Sequence, residues 1–174
     1  MYKWLFFILF GIIALCLIVF GPRVLKGISK KKDRKNCYAI RNVKTGTCIR
    51  PYNADFKTDN KVILYGLHNW ECITWQPIKT VDDTYLLKNL YTEKTFEPCM
   101  VPDEGVTLWQ KPLGFSDNQF WVIESVGDFC KIKLSGTELY LTASFFEQNA
   151  EIELHKDTGD DSQLWKMIPQ CPIV

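Results

Sequence analysis

The sequence predicts an all-β domain in which one supersecondary unit is used three times, preceded by a single membrane-spanning helix. Three observations carry this reading. The patterns Ile73-Thr74-Trp75, Gln119-Phe120-Trp121 and Gln163-Leu164-Trp165 place their tryptophans 46 and 44 residues apart, and a period near 45 marks a repeat architecture. Each block also carries the same succession of short alternating runs and turn signals. The third observation is an almost continuous apolar run from Trp4 to Phe20.

The N-terminal run, WLFFILFGIIALCLIVF, ends at Pro22. At the helical rise it spans roughly 25 Å, enough for a thin bilayer. No small-x-small site follows it and Pro22 blocks cleavage after Gly21, so residues 1–21 are read as a retained anchor rather than a cleaved leader. Residues 22–36 form a basic linker holding Arg23, Lys26, Lys30, Lys31, Lys32, Arg34 and Lys35 against Asp33 alone. Charge bias of this kind places the following domain on the cytoplasmic side.

Residues 37–174 hold the repeats, at about 37–79, 84–124 and 129–169. Each block opens on a strand-like run: Tyr38–Asn42, Tyr85–Asn89 and Cys130–Leu134. Turn signals follow at Thr45-Gly46-Thr47, Thr92-Glu93-Lys94-Thr95 and Ser135-Gly136-Thr137. Later in each block come the alternating runs Val62–Tyr65, Val106–Trp109 and Ile152–His155, then a loop and the tryptophan strand. Alternation with period two, bounded by Gly, Asn, Asp and Pro, gives about four strands per block and about twelve in all.

Composition narrows the function. The chain has 21 Lys and Arg against 20 Asp and Glu, a net charge of +1. Setting the basic linker aside leaves an acidic domain, which argues against nucleic-acid binding. No Gly-rich phosphate loop, nucleophile elbow or His with an evident base partner stands in the sequence, so neither an enzyme nor a cofactor is expected. With no Cys-x-x-Cys pair and only His68 and His155, no metal site is expected either. Six cysteines lie outside the anchor: Cys37, Cys48, Cys72, Cys99, Cys130 and Cys171. An even set in a small domain suggests disulfides and an oxidising compartment, against the charge bias. The cysteines outweigh it here, and the domain is expected to be extracellular, lumenal or on a virion surface. Cys48 and Cys72, both in repeat one, are a weaker disulfide pair.

Three tryptophan strands in register with three turn-and-strand partners resemble a β-trefoil of the ricin B-chain lectin type over roughly residues 37–171. The carrying motif is Gln-x-Trp, intact in repeats two and three and reduced to Ile73-Thr74-Trp75 in repeat one. The resemblance implies a six-stranded barrel capped by three hairpins, with Trp75, Trp121 and Trp165 in the core. It makes the first and last strands neighbours, and hence implies a Cys37–Cys171 disulfide. It also implies one shallow sugar pocket per repeat, built from an acid after the first turn, an aromatic on the third strand and polar residues before the tryptophan. Repeat two matches best, with Glu97, Trp109, Asn118 and Gln119. Repeat one has Arg50 at the acid position, Tyr65 as its aromatic and Cys72-Ile73 before its tryptophan strand, so it suits an anion rather than a neutral sugar. Repeat three offers Tyr140, His155 and Ser162-Gln163. The expected function is a membrane-anchored, non-catalytic recognition module, carbohydrate-binding through repeat two. Its partners are the lipid bilayer, glycans and other membrane-complex proteins. The alternative is a protein-interaction or structural subunit of a membrane complex, for example a viral envelope or entry complex, with decayed sugar pockets.

Overall fold

The structure is a computed structural model that describes residues 35–80, 82–114 and 116–172. The expected anchor and nearly all of the basic linker lie outside the described residues. No helix among the described residues is long and apolar enough to cross a membrane.

Among the described residues there are twelve strands: β1 (Tyr38–Asn42), β2 (Cys48–Pro51), β3 (Asn60–Tyr65), β4 (Thr74–Lys79), β5 (Tyr85–Asn89), β6 (Thr95–Pro98), β7 (Leu108–Lys111), β8 (Trp121–Val126), β9 (Phe129–Leu134), β10 (Tyr140–Thr142), β11 (Glu153–His155) and β12 (Trp165–Pro169). Six of them close a ring. β1 pairs with β4, β4 with β5, β5 with β8, β8 with β9, β9 with β12, and β12 with β1, all antiparallel. Closure leaves no barrel strand with an open edge. The remaining strands form three hairpins, β2–β3, β6–β7 and β10–β11. This is the barrel-and-cap plan of a β-trefoil.

The apolar half of each alternating strand points into the barrel. Trp75, Trp121 and Trp165 are fully buried, together with Ile40, Ile49, Leu87, Phe96, Leu108, Ile132, Leu141 and Leu154. The three indoles are not equivalent. Trp75 Nε1 donates to Ile49 O at 2.8 Å and Trp165 Nε1 to Leu141 O at 3.0 Å, whereas buried Trp121 Nε1 has no acceptor. Phe96 occupies the corresponding place in repeat two, its ring centroid 5.1 Å from those of Trp75 and Trp121. Replacing an indole by phenyl therefore removes a buried hydrogen bond at Trp75 but none at Trp121. Trp121→Phe is expected to cost about 1 kcal/mol less than Trp75→Phe. Urea unfolding of the two variants measures the difference, and equal losses would show that the orphaned indole N–H carries no penalty.

A single 3-10 turn precedes each tryptophan strand, at Glu71–Ile73, Asp117–Gln119 and Asp161–Gln163. In the third, Asp160 accepts from Ser162 N at 2.8 Å, and the Lys44 ammonium bonded to the Asp160 carboxylate holds its pKa down at about 2. Two buried asparagines tie such turns to the following repeat. Asn89 Nδ2 donates to Cys72 O at 2.9 Å, and its Oδ1 accepts from Tyr91 N and Thr92 N. Asn42 repeats this with Ser162 O, Leu164 O and Thr45 N. Repeat three has Leu134 at the equivalent strand end, and there only the backbone bond Ser135 N to Phe120 O remains. The left-handed turn position is glycine in two repeats, Gly46 and Gly136, and Glu93 in the other. That side chain accepts a conformation costing an L-residue roughly 1 kcal/mol or more.

The disulfides expected from the sequence are not formed, and the six cysteines outside the N-terminal run carry thiols. β1 and β12 are neighbours as expected, but their register separates Cys37 from Cys171. Tyr38 pairs with Pro169 and Gln170 N donates to Cys37 O at 2.8 Å. Cys171 thus lies one residue beyond the partner of Cys37, and a one-residue offset sends side chains to opposite faces. Cys37 is buried and Cys171 exposed. Cys48 and Cys72 share a small apolar cluster with Ala39 and Ile73. Burial pushes the Cys48 thiol up to about 12 and raises that of Cys72, which suppresses the thiolate that disulfide formation requires.

Candidate functional site

The repeat-two set is assembled by one hairpin and one turn. β6 and β7 pair with Glu97 directly opposite Trp109, so both side chains stand on the same face, within reach of each other. Both are half-buried. On the other side of β7, Lys61 of β3 stands opposite Trp109 and forms an ion pair with Glu151 at 2.5 Å. The turn before Trp121 brings Asn118 and Gln119 to this hairpin.

Gln119 does not face solvent, being 4 % exposed. Its Nε2 donates to Glu97 Oε2 at 2.9 Å and to Pro112 O at 3.1 Å, and its Oε1 accepts from Gly114 N at 2.9 Å. With its amide hydrogens and carbonyl so engaged, Gln119 holds the Glu97 carboxylate in place and leaves Oε1 of that carboxylate without a hydrogen bond to a described residue. Asn118 is half-buried, and its amide likewise makes none among the described residues. Lys111, whose ammonium is bonded to Asp59 and thereby titrates above its ordinary range, lies near enough to feel the Glu97 charge. The arrangement offers an acceptor, an aromatic face and an amide that both donates and accepts.

The three hairpins share one register. Cys48 pairs with Tyr65, Thr95 with Lys111 and Tyr140 with His155. Trp109 therefore stands two residues before the place of Tyr65 and His155, opposite Glu97, where repeat one has Ile63 and repeat three Glu153.

The structure also corrects the repeat-three assignment. The counterpart of Glu97 is Thr142, not Tyr140, because Gln163 Nε2 donates to Thr142 Oγ1 at 3.0 Å just as Gln119 donates to Glu97. Thr142 is 4 % exposed, so repeat three presents no acceptor at this position. The signal was present in the sequence as the constant spacing of 8 residues from the end of each first strand, Asn42 to Arg50, Asn89 to Glu97 and Leu134 to Thr142. His155 does have a carboxylate neighbour, Glu153, at 2.9 Å. Ser144 Oγ donates to that same carboxylate at 2.6 Å. Serine and imidazole thus compete for one acceptor, and the imidazole is not positioned on the serine as a general base would be.

A cavity of about 510 Å³ lies beside the repeat-two hairpin, lined by Tyr52, Asp59, Asn60, Lys61, Ile63, Asn149 and Glu151. It borders the set through Lys61 but contains none of Glu97, Trp109, Asn118 or Gln119. The repeat-two set therefore lies outside that cavity. Among the described residues no group of three or more His, Cys, Asp or Glu side chains is placed to hold a metal ion.

No family model matches the sequence, and no curated protein matches it. Solved structures do. A designed threefold-symmetric protein, ThreeFoil, superposes with a TM-score of 0.74 at 19 % identity, over 77 % of this chain and 99 % of its own. The Rhizoctonia solani agglutinin gives 0.71 at 16 % identity, over 78 % and 95 %. A ricin B-like lectin from Macrolepiota procera, solved in complex with lactose, gives 0.66 at 20 % identity, over 76 % and 94 %. Identities this low speak for the fold alone, and with the closed barrel and its three hairpins they establish that the described domain is a β-trefoil.

Proposed function

We propose that the domain is a carbohydrate-binding module that takes a neutral sugar on the repeat-two face. The observation that carries this is the cross-strand pairing of Glu97 with Trp109, with Gln119 fixing the carboxylate from behind. The free carboxylate oxygen accepts from sugar hydroxyls. The indole packs on the apolar C–H face of a hexose, and the Asn118 amide sets orientation. The likeness to glycan-binding trefoils supports the same reading, and the apolar run at residues 4–20 supports display from a membrane.

One shallow site of this kind binds weakly, at roughly millimolar Kd or about −4 kcal/mol, so avidity would come from clustering. A multivalent glycan array with the wild-type chain and the Trp109→Ala and Glu97→Gln variants tests it. Signal on neutral glycans is expected, and both variants should lose it while keeping the wild-type far-ultraviolet spectrum. Absence of signal on every glycan of the array would sink the proposal. That result would favour the second reading, a protein-facing subunit, which the adjacent exposed rings of Phe145 and Phe146 support.

A further inference from the structure

Repeat one carries a different chemistry at the same place. Arg50 stands where repeat two has Glu97, and Ile73 where it has Gln119. The two changes belong together. The glutamine amide donates to the carboxylate in repeat two. A donor facing a guanidinium would be useless, and apolar Ile73, fully buried, takes its place. No side chain of the described residues then takes the part that Gln119 plays behind Glu97.

Arg50 is 8 % exposed. Its Nε donates to Pro51 O at 3.2 Å, and its guanidinium carbon lies 4.1 Å from the centroid of Tyr65. No ion pair or further hydrogen bond joins it to a described residue. A guanidinium lying over an aromatic ring keeps its in-plane N–H groups free, and that fork matches the oxygens of a carboxylate or sulfate. A charge so largely buried with no counter-ion is costly, and an anionic ligand would offset that cost. Burial pushes up the Cys72 thiol of the adjoining 3-10 turn, and the Arg50 charge pulls the other way.

The wall of this site is aromatic and fixed. His68 and Trp70 stack with centroids 4.1 Å apart and planes 11° from parallel, and Tyr65 stands 6.0 and 6.4 Å from them. Trp70 is 47 % exposed, yet its carbonyl accepts from Ile73 N at 3.1 Å and Thr74 Oγ1 at 2.8 Å. The neighbouring Asn69 Nδ2 donates to Cys171 O at 3.2 Å. An exposed indole on an anchored turn is a preformed platform rather than a stray surface ring.

We infer that the Arg50–Tyr65–Trp70 face of repeat one is a second ligand site, selective for an acidic saccharide whose carboxylate or sulfate is forked by Arg50 while its ring packs on Trp70. The saccharide is preferred over other anions because the exposed Trp70 indole offers an apolar face that a sugar ring can pack on and a bare anion cannot use. The inference stands independently of the repeat-two proposal.

The test is calorimetric titration of the full-length chain in a Trp109→Ala background, which removes the repeat-two platform, so any signal belongs to repeat one. The probes are methyl β-galactoside, methyl β-galactoside 6-sulfate, methyl α-sialoside and sodium sulfate. One of the two acidic sugars is expected to bind at least tenfold more tightly than the neutral sugar and than sodium sulfate. Comparing the two identifies the anion as sulfate or carboxylate. Arg50→Lys, which keeps the charge but loses the fork, and Trp70→Ala, at an exposed position where folding is not at risk, should each weaken binding about tenfold. Equal binding of neutral and acidic sugars, no binding by either acidic sugar, sodium sulfate binding as tightly as the sugars, or retention of affinity in Trp70→Ala would each overturn the inference.

Discussion

Trp75→Ala is expected to lower the stability of the domain by about 4 kcal/mol, within the usual range for truncating a buried aromatic. The indole is fully buried and packs edge-on against Phe96. Its loss leaves a void between repeats one and two, and it strands the Ile49 carbonyl, which now accepts from Nε1 at 2.8 Å. For a domain of this size the midpoint of thermal unfolding should fall by roughly 10–20 °C. Trp109→Ala serves as the contrast. Trp109 is only half-buried on the outer hairpin, and its truncation should cost much less. Losses of similar size at both positions would show that Trp109 is a packing residue, and the repeat-two face would lose its platform.

Asn89→Leu should come next, at about 3 kcal/mol. The side chain is fully buried. Its amide donates to Cys72 O and Thr74 O, and its carbonyl accepts from Tyr91 N and Thr92 N. Leucine fills similar volume, so the loss isolates the hydrogen bonds rather than a cavity. Each stranded buried backbone group contributes roughly 1 kcal/mol or more. The variant has an internal precedent, because repeat three carries Leu134 at this strand end and folds with the backbone bond alone. Denaturant unfolding of Asn89→Leu decides between the two possibilities. A loss below about 1 kcal/mol would mean that the backbone bonds suffice in repeat two as well.

The tryptophan spacing and the alternating runs are enough to read the barrel and its threefold plan, because period-two burial and a 45-residue repeat leave few other ways to bury three indoles. The repeat-two residues could be read for the same reason, since position within the repeat places Glu97, Trp109 and Asn118 near one another. Three things were not legible. The pairing of Trp109 with Glu97 depends on the strand ladder of β6 and β7, in which Lys111 rather than Trp109 holds the place of Tyr65 and His155. The structural role of Gln119 depends on where the chain at Pro112 and Gly114 passes. The separation of Cys37 from Cys171 depends on a single residue of offset between strands far apart in sequence, and no local pattern encodes that offset.

The pairing of β1 with β12 also sets an order of events for the nascent chain. β12 lies between β1 and β9 in the ring, so both remain unpaired along one edge until the last repeat has emerged. Long-range closure of this kind raises contact order and slows folding. Until Trp165 arrives, the first two repeats expose a strand edge able to pair with another chain. Synthesis of the C-terminal segment is therefore the step that ends the window for misassembly.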